Sequence, residues 1–252
     1  MAEILLRVEG VYKYFGGVRA VDGVSFSLGR GERFFVVGPN GAGKTTLVNL
    51  ISGYFKPDRG RILFKGEDVT ALGLAERVRR GIARSFQLVT VFDNLTVAEN
   101  IAVSVASRLG RSKVAYKTLS SYRDVVEEVE RILEVFELAD VASKYPTELS
   151  QGDRKILDVA LTFALKPSLI ILDEPTSGVA TKDKHSVMER LIKAFDVTGV
   201  SSIIVEHDMD IVFRYARRVV VMHEGKMLAD GDPASVRGNE EVRRILLGGV
   251  YA

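Results

Sequence analysis

The feature that most constrains this chain is a change of texture between residues 34 and 51. Phe34-Phe35-Val36-Val37 is a short unbroken apolar run, the pattern of a strand buried on both faces. It stops at Gly38-Pro39-Asn40-Gly41-Ala42-Gly43-Lys44-Thr45-Thr46, and the stretch Thr46 to Ile51 then reads as a helix. The segment fits G-x-x-x-x-G-K-[ST] in the strand-to-helix context that motif needs. Small residues let backbone N–H groups turn inward at a helix N-terminus, where a phosphate is held; Lys44 adds a mobile cation and Thr45 a hydroxyl suited to Mg²⁺. A plain glycine-rich turn is the competing reading, and the flanking strand and helix argue against it.

A chain with such a loop needs parallel strands around it, and the pattern supplies them. Leu169 to Leu172, Ser202 to Val205 and Val219 to Met222 are buried-type runs separated by helical stretches, the rhythm of βαβ units. Before the loop the texture differs. Ile4 to Glu9, Val24 to Leu28 and Arg61 to Phe64 show partial alternation, with turns at residues 29–31 and 56–60, as in an antiparallel layer. Between about 95 and 165 the period is helical: Val125, Val129, Ile132, Leu133 and Phe136 share one face opposite a run of acids. Glu240 to Leu247 reads as a last short helix. The expected organisation is one α/β domain over 1–252. Residues 1–90 and 166–252 form the core with its antiparallel β layer, and 95–165 form an inserted helical subdomain.

The second half of the candidate site is Ser168 to Glu174. An apolar strand delivers Asp173 at its C-terminal end, where open parallel sheets bind ligands, and that carboxylate suits a magnesium ion. Glu174 follows at once and suits polarisation of an attacking water. His207 ends the next strand-like run at the same sheet edge, placed to donate a hydrogen bond to a terminal phosphate. His185 and His223 have no such placement and read as structural.

Composition removes other classes. The sequence has 252 residues, no cysteine and a net charge of +2, from 35 basic and 33 acidic residues. A thiolate metal site, a cysteine nucleophile and a disulfide scaffold are excluded, and the charge gives no reason to expect a nucleic-acid partner. The apolar runs are strand-sized, far below the ~20 residues of a membrane span, and MAEILLRVEG does not read as an export signal.

Glu148-Leu149-Ser150-Gln151-Gly152-Asp153-Arg154-Lys155 lies between these motifs and resembles the signature sequence of ATP-binding cassette (ABC) ATPases. With the loop, Asp173-Glu174, Gln87 after the strand Ile82 to Phe86, and His207 in matching order, the resemblance spans essentially the whole chain. It implies the P-loop NTPase core of an ABC ATPase, with a mixed sheet, an antiparallel β subdomain and a helical subdomain. It implies ATP hydrolysis with Mg²⁺. Phe15 matches the adenine-stacking aromatic, Gln87 the ligand that senses the γ-phosphate and metal, and Lys44, Thr45, Asp173, Glu174 and His207 the loop, metal, base and switch positions. Ser150, Gln151, Gly152 and Asp153 match the patch that completes the ATP site of the opposite subunit, which implies a head-to-tail dimer.

Val91 to Ile101, Val205 to Met209 and the ending Ile245-Leu-Leu-Gly-Gly look like ATPase subunits of hydrophobic (branched-chain) amino-acid importers. That implies two membrane permease subunits, an indirect link to a solute-binding protein, and a cytoplasmic location, peripheral on the membrane's inner face. The alternatives are a lipopolysaccharide-type exporter, a non-transport ABC ATPase, and a P-loop kinase, against which Ser150 to Asp153 argue. Three positions depart from the family pattern: Gln151 for glycine, Asp153 for the longer glutamine or glutamate, and Ala180 for the aspartate or asparagine that ends the loop after Glu174. Residues 108–123 carry Arg108, Arg111, Lys113, Lys117 and Arg123, expected to be a solvated loop balanced by the acidic helix that follows. Phe92, Leu95 and Val97 are candidates for a permease groove or for plain core.

Overall fold

A computed structural model describes residues 3–85, 91–111 and 122–246. The chain opens with a long hairpin, β1 (Ile4–Phe15) and β2 (Val18–Gly29), and then enters β3 (Arg33–Val37). Next come α1 (Lys44–Ser52), β4 (Arg59–Phe64), β5 (Glu67–Asp68), α2 (Leu74–Arg80) and β6 (Ile82–Arg84). Three helices follow, α3 (Val97–Arg108), α4 (Arg123–Val135) and α5 (Gln151–Phe163). The remainder runs β7 (Leu169–Asp173), α6 (Thr181–Thr198), β8 (Ser201–Val205), α7 (Met209–Tyr215), β9 (Val219–His223) and β10 (Lys226–Gly231), then α8 (Pro233–Gly238) and α9 (Glu240–Leu246).

Two sheets result. The antiparallel one has the order β2-β1-β4-β5, and the larger one β10-β9-β3-β8-β7-β6, parallel except for β10. The apolar run at 34–37 is indeed interior, flanked by β8 and β9. Its neighbours are not consecutive in sequence, so the crossover opens a crevice at the C-terminal ends of β3, β7 and β8.

The period-2 rule explains how one sheet serves two cores. Phe35, Val37, Ile170, Leu172 and Ile204 face an apolar cluster built with α3, α4, α5, α6 and α7. Phe34, Val36, Leu169, Ile171 and Ile203 face the other, built with β1, β2, β4 and α1. Every residue of β3, β7 and β8 is therefore buried, which is why these strands read as continuous apolar runs instead of alternating. The face of α4 expected from its period is the buried one: Val125, Val129, Ile132 and Leu133.

The first hairpin is longer than its local pattern suggested. Register shifts between Val8 and Val11 break the alternation that a uniform ladder would show. Arg77 on α2 was not anticipated as a structural residue. It is fully buried, and its guanidinium donates to the carbonyls of Leu50 (2.6 Å), Ile51 (2.8 Å), Thr70 (3.1 Å) and Leu72 (3.2 Å). The first two are orphan carbonyls at the C-terminus of α1, where a cation also complements the helix dipole. Burial lowers its pKa to about 10.

Candidate functional site

The loop from Gly38 to Gly43 wraps toward the N-terminus of α1 because two of its residues tolerate no side chain. Gly38 has φ 152° and Gly43 φ 98°, and a Cβ would lie 2.2 Å from the carbonyl oxygen of Met222 at the first and of Ala20 at the second. Asn40 to Thr46 line a cavity of about 540 Å³ with Val18, Arg19, Ala20, Glu174 and Glu224. Lys44 is buried and folds back over its own loop, donating to the carbonyls of Gly38 (2.6 Å) and Pro39 (3.0 Å). Burial lowers its pKa, against the opposing pull of Glu174 and Asp173.

The carboxylates arrive from β7. Asp173 is its last residue and is almost fully buried; its Oδ2 accepts from Arg84 Nη2 at 2.5 Å. Glu174 follows with φ 50°, a left-handed conformation that is uncommon for a residue with a side chain, and its N–H is held by the Val205 carbonyl at 2.9 Å. The turn swings Glu174 away from Asp173 and toward His207, whose Nδ1 lies 3.5 Å from Glu174 Oε1. These two line an adjoining cavity of about 540 Å³ with Gly38, Pro39, Asn40 and Met209, closed on one side by Ile245 and Leu246 of α9.

Glu206, before His207, is a site residue that local reading missed. It is completely buried and accepts from Thr176 Oγ1 (2.7 Å), Thr176 N–H (3.3 Å) and the His207 N–H (3.2 Å). Burial raises its pKa despite these bonds. It ties the turn after Glu174 to the backbone of His207, a link between residues thirty apart that no local pattern announces.

A family model described as ABC transporter matches residues 21–177. The chain belongs to the ABC transporter family. It is 35% identical to a probable branched-chain amino acid transport ATP-binding protein, LivG, of Methanocaldococcus jannaschii, over 96% of this chain and 93% of that one. It is 34% identical to the high-affinity branched-chain amino acid transport ATP-binding protein LivG of Escherichia coli K12, over 98% and 99% of the two chains. A solved nucleotide-free ATP-binding cassette from an ABC transporter superposes with a TM-score of 0.82 at 32% identity, covering 96% of this chain and 98% of that one. The ADP conformation of an ABC transporter cassette gives 0.81 at 30% identity, over 98% and 100%. The fold is thus that of an ABC ATPase, and ATP is its nucleotide.

In this ABC ATPase the signature residues lie apart from the loop. Ser150 caps α5: its Oγ accepts from the Asp153 N–H at 3.0 Å and lies 2.7 Å from Asp153 Oδ2. Asp153 also accepts from Arg190 Nη1 at 2.7 Å, and Arg190 reaches the carbonyls of Phe136 and Glu137. The short acid at 153 therefore has a structural partner on α6. Gln151 is exposed, and a Cβ at Gly152 would lie 3.0 Å from Val187 Cγ2. None of Ser150, Gln151, Gly152 and Asp153 lines the cavities of Lys44 and Glu174.

Phe15 is half-exposed at the end of β1, edge-on to Phe55 at 5.3 Å, and is not among the residues lining the loop cavity. Gln87 lies outside the described residues, as do Lys113 and Lys117. Arg108 at the end of α3, Arg111, and Arg123 at the start of α4 pair with Glu128 (3.3 Å), Asp124 (3.1 Å) and Glu127 (2.7 Å) of α4, and the rest of the basic stretch, residues 112–121, lies outside the described residues. Val97 is core, whereas Phe92 is exposed. Ala180 occupies the N-cap of α6 with no side chain able to cap it. His185 is held by Asp210 (3.0 Å) and Tyr215 (3.1 Å), a structural arrangement.

For a magnesium ion the donors present are the Thr45 hydroxyl at the start of α1 and the Asp173 carboxylate at the end of β7. Both are hard oxygen donors, and one carboxylate with substrate phosphates is the set that Mg²⁺ takes in nucleotide sites. The residues fit the ion. Among the described residues no cluster of three or more acidic, histidine or cysteine side chains offers a rival cage, and no helix is long and apolar enough to cross a membrane.

Proposed function

We propose that this chain is the ATP-hydrolysing subunit of an importer for branched-chain amino acids or related small hydrophobic solutes, working at the cytoplasmic face of the membrane on two separate permease subunits. The observation that carries the chemistry is the convergence of Lys44, Glu174 and His207 on adjoining cavities at one sheet edge. The solute class is supported by the naming of relatives that match almost end to end.

The backbone N–H groups of the loop surround the β-phosphate, and Lys44 exchanges the carbonyls of Gly38 and Pro39 for β- and γ-oxygens. Thr45 and Asp173 hold Mg²⁺, with Gln87 as a further ligand; when bound, the metal neutralises developing phosphate charge. Glu174 accepts the proton of the water that attacks the γ-phosphorus, as the bond to the ADP oxygen breaks. His207, anchored through Glu206, donates to a γ-oxygen and stays in line with Glu174. Phe15 stacks on adenine from the exposed end of β1.

Ser150 to Asp153 lie outside this pocket, which supports a role in the pocket of a second subunit, identical or homologous, with two ATP molecules between them. A solute-binding protein joins only through the permeases, and no nucleic acid takes part. Reconstitution with the permease pair tests the reading. ATP-dependent leucine uptake is expected, with both uptake and turnover abolished by Lys44→Ala. Glu174→Gln is expected to form a dimer at saturating ATP. No ATP turnover by the wild-type chain at saturating Mg-ATP would overturn the hydrolase reading, whereas turnover without leucine uptake would overturn only the solute.

A further inference from the structure

Arg84 stands at the end of β6, beside β7, and does something the mechanism above does not use. Its Nη2 donates to Asp173 Oδ2 at 2.5 Å and its Nη1 to Asn49 Oδ1 at 2.5 Å. Asn49 is on α1, four residues after Thr45 and so on the same helix face. One guanidinium therefore bridges the helix that carries the metal-binding hydroxyl and the strand that carries the metal-binding carboxylate. Both partners are removed from water, Asp173 with 4% of its side chain exposed and Arg84 with 12%. Arg84 Nε is buried with no acceptor among the described residues. Among the described residues Asp173 Oδ1 has no hydrogen-bond partner, so one oxygen is committed to Arg84 and the other is available.

We propose that Arg84 is a positioning residue that sets the metal affinity of Asp173: it neutralises the carboxylate in the nucleotide-free chain, so that a divalent cation is retained only when ATP phosphates complete its shell. This rests on the assignment of Asp173 as the metal carboxylate. The physical argument is sign and distance. A fixed cation in hydrogen-bond contact with a carboxylate attracts the same charge that a metal would use, and in a water-poor site that competition is weakly screened. Mg²⁺ dehydrates reluctantly and binds through few carboxylates, so a neutralised Asp173 with only the neutral donors of Thr45 and Gln87 beside it is too poor a set to hold the ion alone. The γ- and β-oxygens of ATP supply the missing negative charge. Anchorage on Asn49 keeps the guanidinium at Asp173 instead of letting it follow the phosphates.

The test uses Mn²⁺ as a spin probe, titrated by electron paramagnetic resonance into wild type, Arg84→Gln and Arg84→Lys, with and without a non-hydrolysable ATP analogue. Wild type should retain Mn²⁺ only with the analogue. Arg84→Gln should bind Mn²⁺ about tenfold more tightly in its presence, equivalent to ~1.4 kcal/mol, and show measurable binding without it. Arg84→Lys keeps the charge and should stay within about threefold of wild type, which also guards against misfolding of the glutamine variant. Equal or weaker Mn²⁺ binding by Arg84→Gln, with analogue affinity in the absence of metal unchanged, would overturn the proposal. Failure of wild type to bind the analogue at all would instead overturn the nucleotide-site reading on which it rests.

Discussion

Asp158 on α5 makes folded stability depend on pH. Its residue exposure is 9%, it lines a groove of about 510 Å³ with Leu74, Val78, Leu161 and Leu165 and with the cations Arg79 and Arg84, and its side chain makes no hydrogen bond or ion pair among the described residues. Burial raises its pKa from 3.8 to about 7, with only a small opposing pull from Lys155. Between those two values the unfolded chain has released the proton and the folded chain keeps it, so folded stability falls as pH rises from about 4 and levels off above about 7. At ~1.4 kcal/mol per pH unit the penalty at pH 8 reaches an upper bound of about 4 kcal/mol, and at pH 5.5 about 2 kcal/mol. Asp158→Asn keeps the shape and removes the charge. The gain in stability should therefore be larger at pH 8 than at pH 5.5 by about 2 kcal/mol, or ~4–8 °C in Tm for a chain of this size. Scanning calorimetry of both proteins at both pH values measures that difference. Parallel profiles, with the variant displaced equally at pH 5.5 and pH 8, would show that Asp158 is ionised throughout and would refute the argument.

Other positions give separate tests. Arg77→Met removes the donor from four carbonyls, two of them at the end of α1, and should cost about 3–5 kcal/mol in urea denaturation, since a buried network loses its cation. Ala180→Asp supplies the missing N-cap of α6 and should stabilise by about 0.5–2 kcal/mol in the same assay, with the gain lost at pH 2 as the carboxyl protonates. Thr176→Val leaves Glu206 without its hydroxyl donor and should cost about 1–3 kcal/mol while lowering ATP turnover, because the same carboxylate holds the His207 N–H.

What the sequence made legible were features whose physics is local. Phe34 to Val37 and Leu169 to Leu172 are read as interior strands because a strand covered on both faces has no reason to alternate. Gly38 and Gly43 are read from the loop pattern, and their Cβ positions against Met222 and Ala20 supply the reason. What escaped were pairings between distant segments. Arg77 looks like one more charge in a basic stretch until α1 ends against it. Arg84 and Asp173 are joined across neighbouring strands 89 residues apart in sequence, and Asp153 meets Arg190 across two helices. Charge pairs of this kind leave no periodic trace. The reverse error is visible at β1, where bulges erased an alternation that the full strand would have shown.

These long-range pairs share a consequence for how the site works. Lys44 is paired with Gly38 and Pro39 carbonyls, Asp173 Oδ2 with Arg84, and Glu174 stands beside His207. A ligand must replace a neutral carbonyl partner at Lys44 with something stronger, and a charge-assisted bond to a phosphate oxygen is about twice as strong as a neutral one. Neutral molecules gain nothing from the exchange, so the resting bonds select for anions before any shape is read. Glu174 and His207 undergo no such exchange: the φ 50° turn and the Glu206 anchor hold them independently of Lys44. On the proposed mechanism binding and hydrolysis are therefore carried by separately braced groups, and a variant that weakens the Glu206 anchor should lower turnover while leaving ATP affinity near wild type.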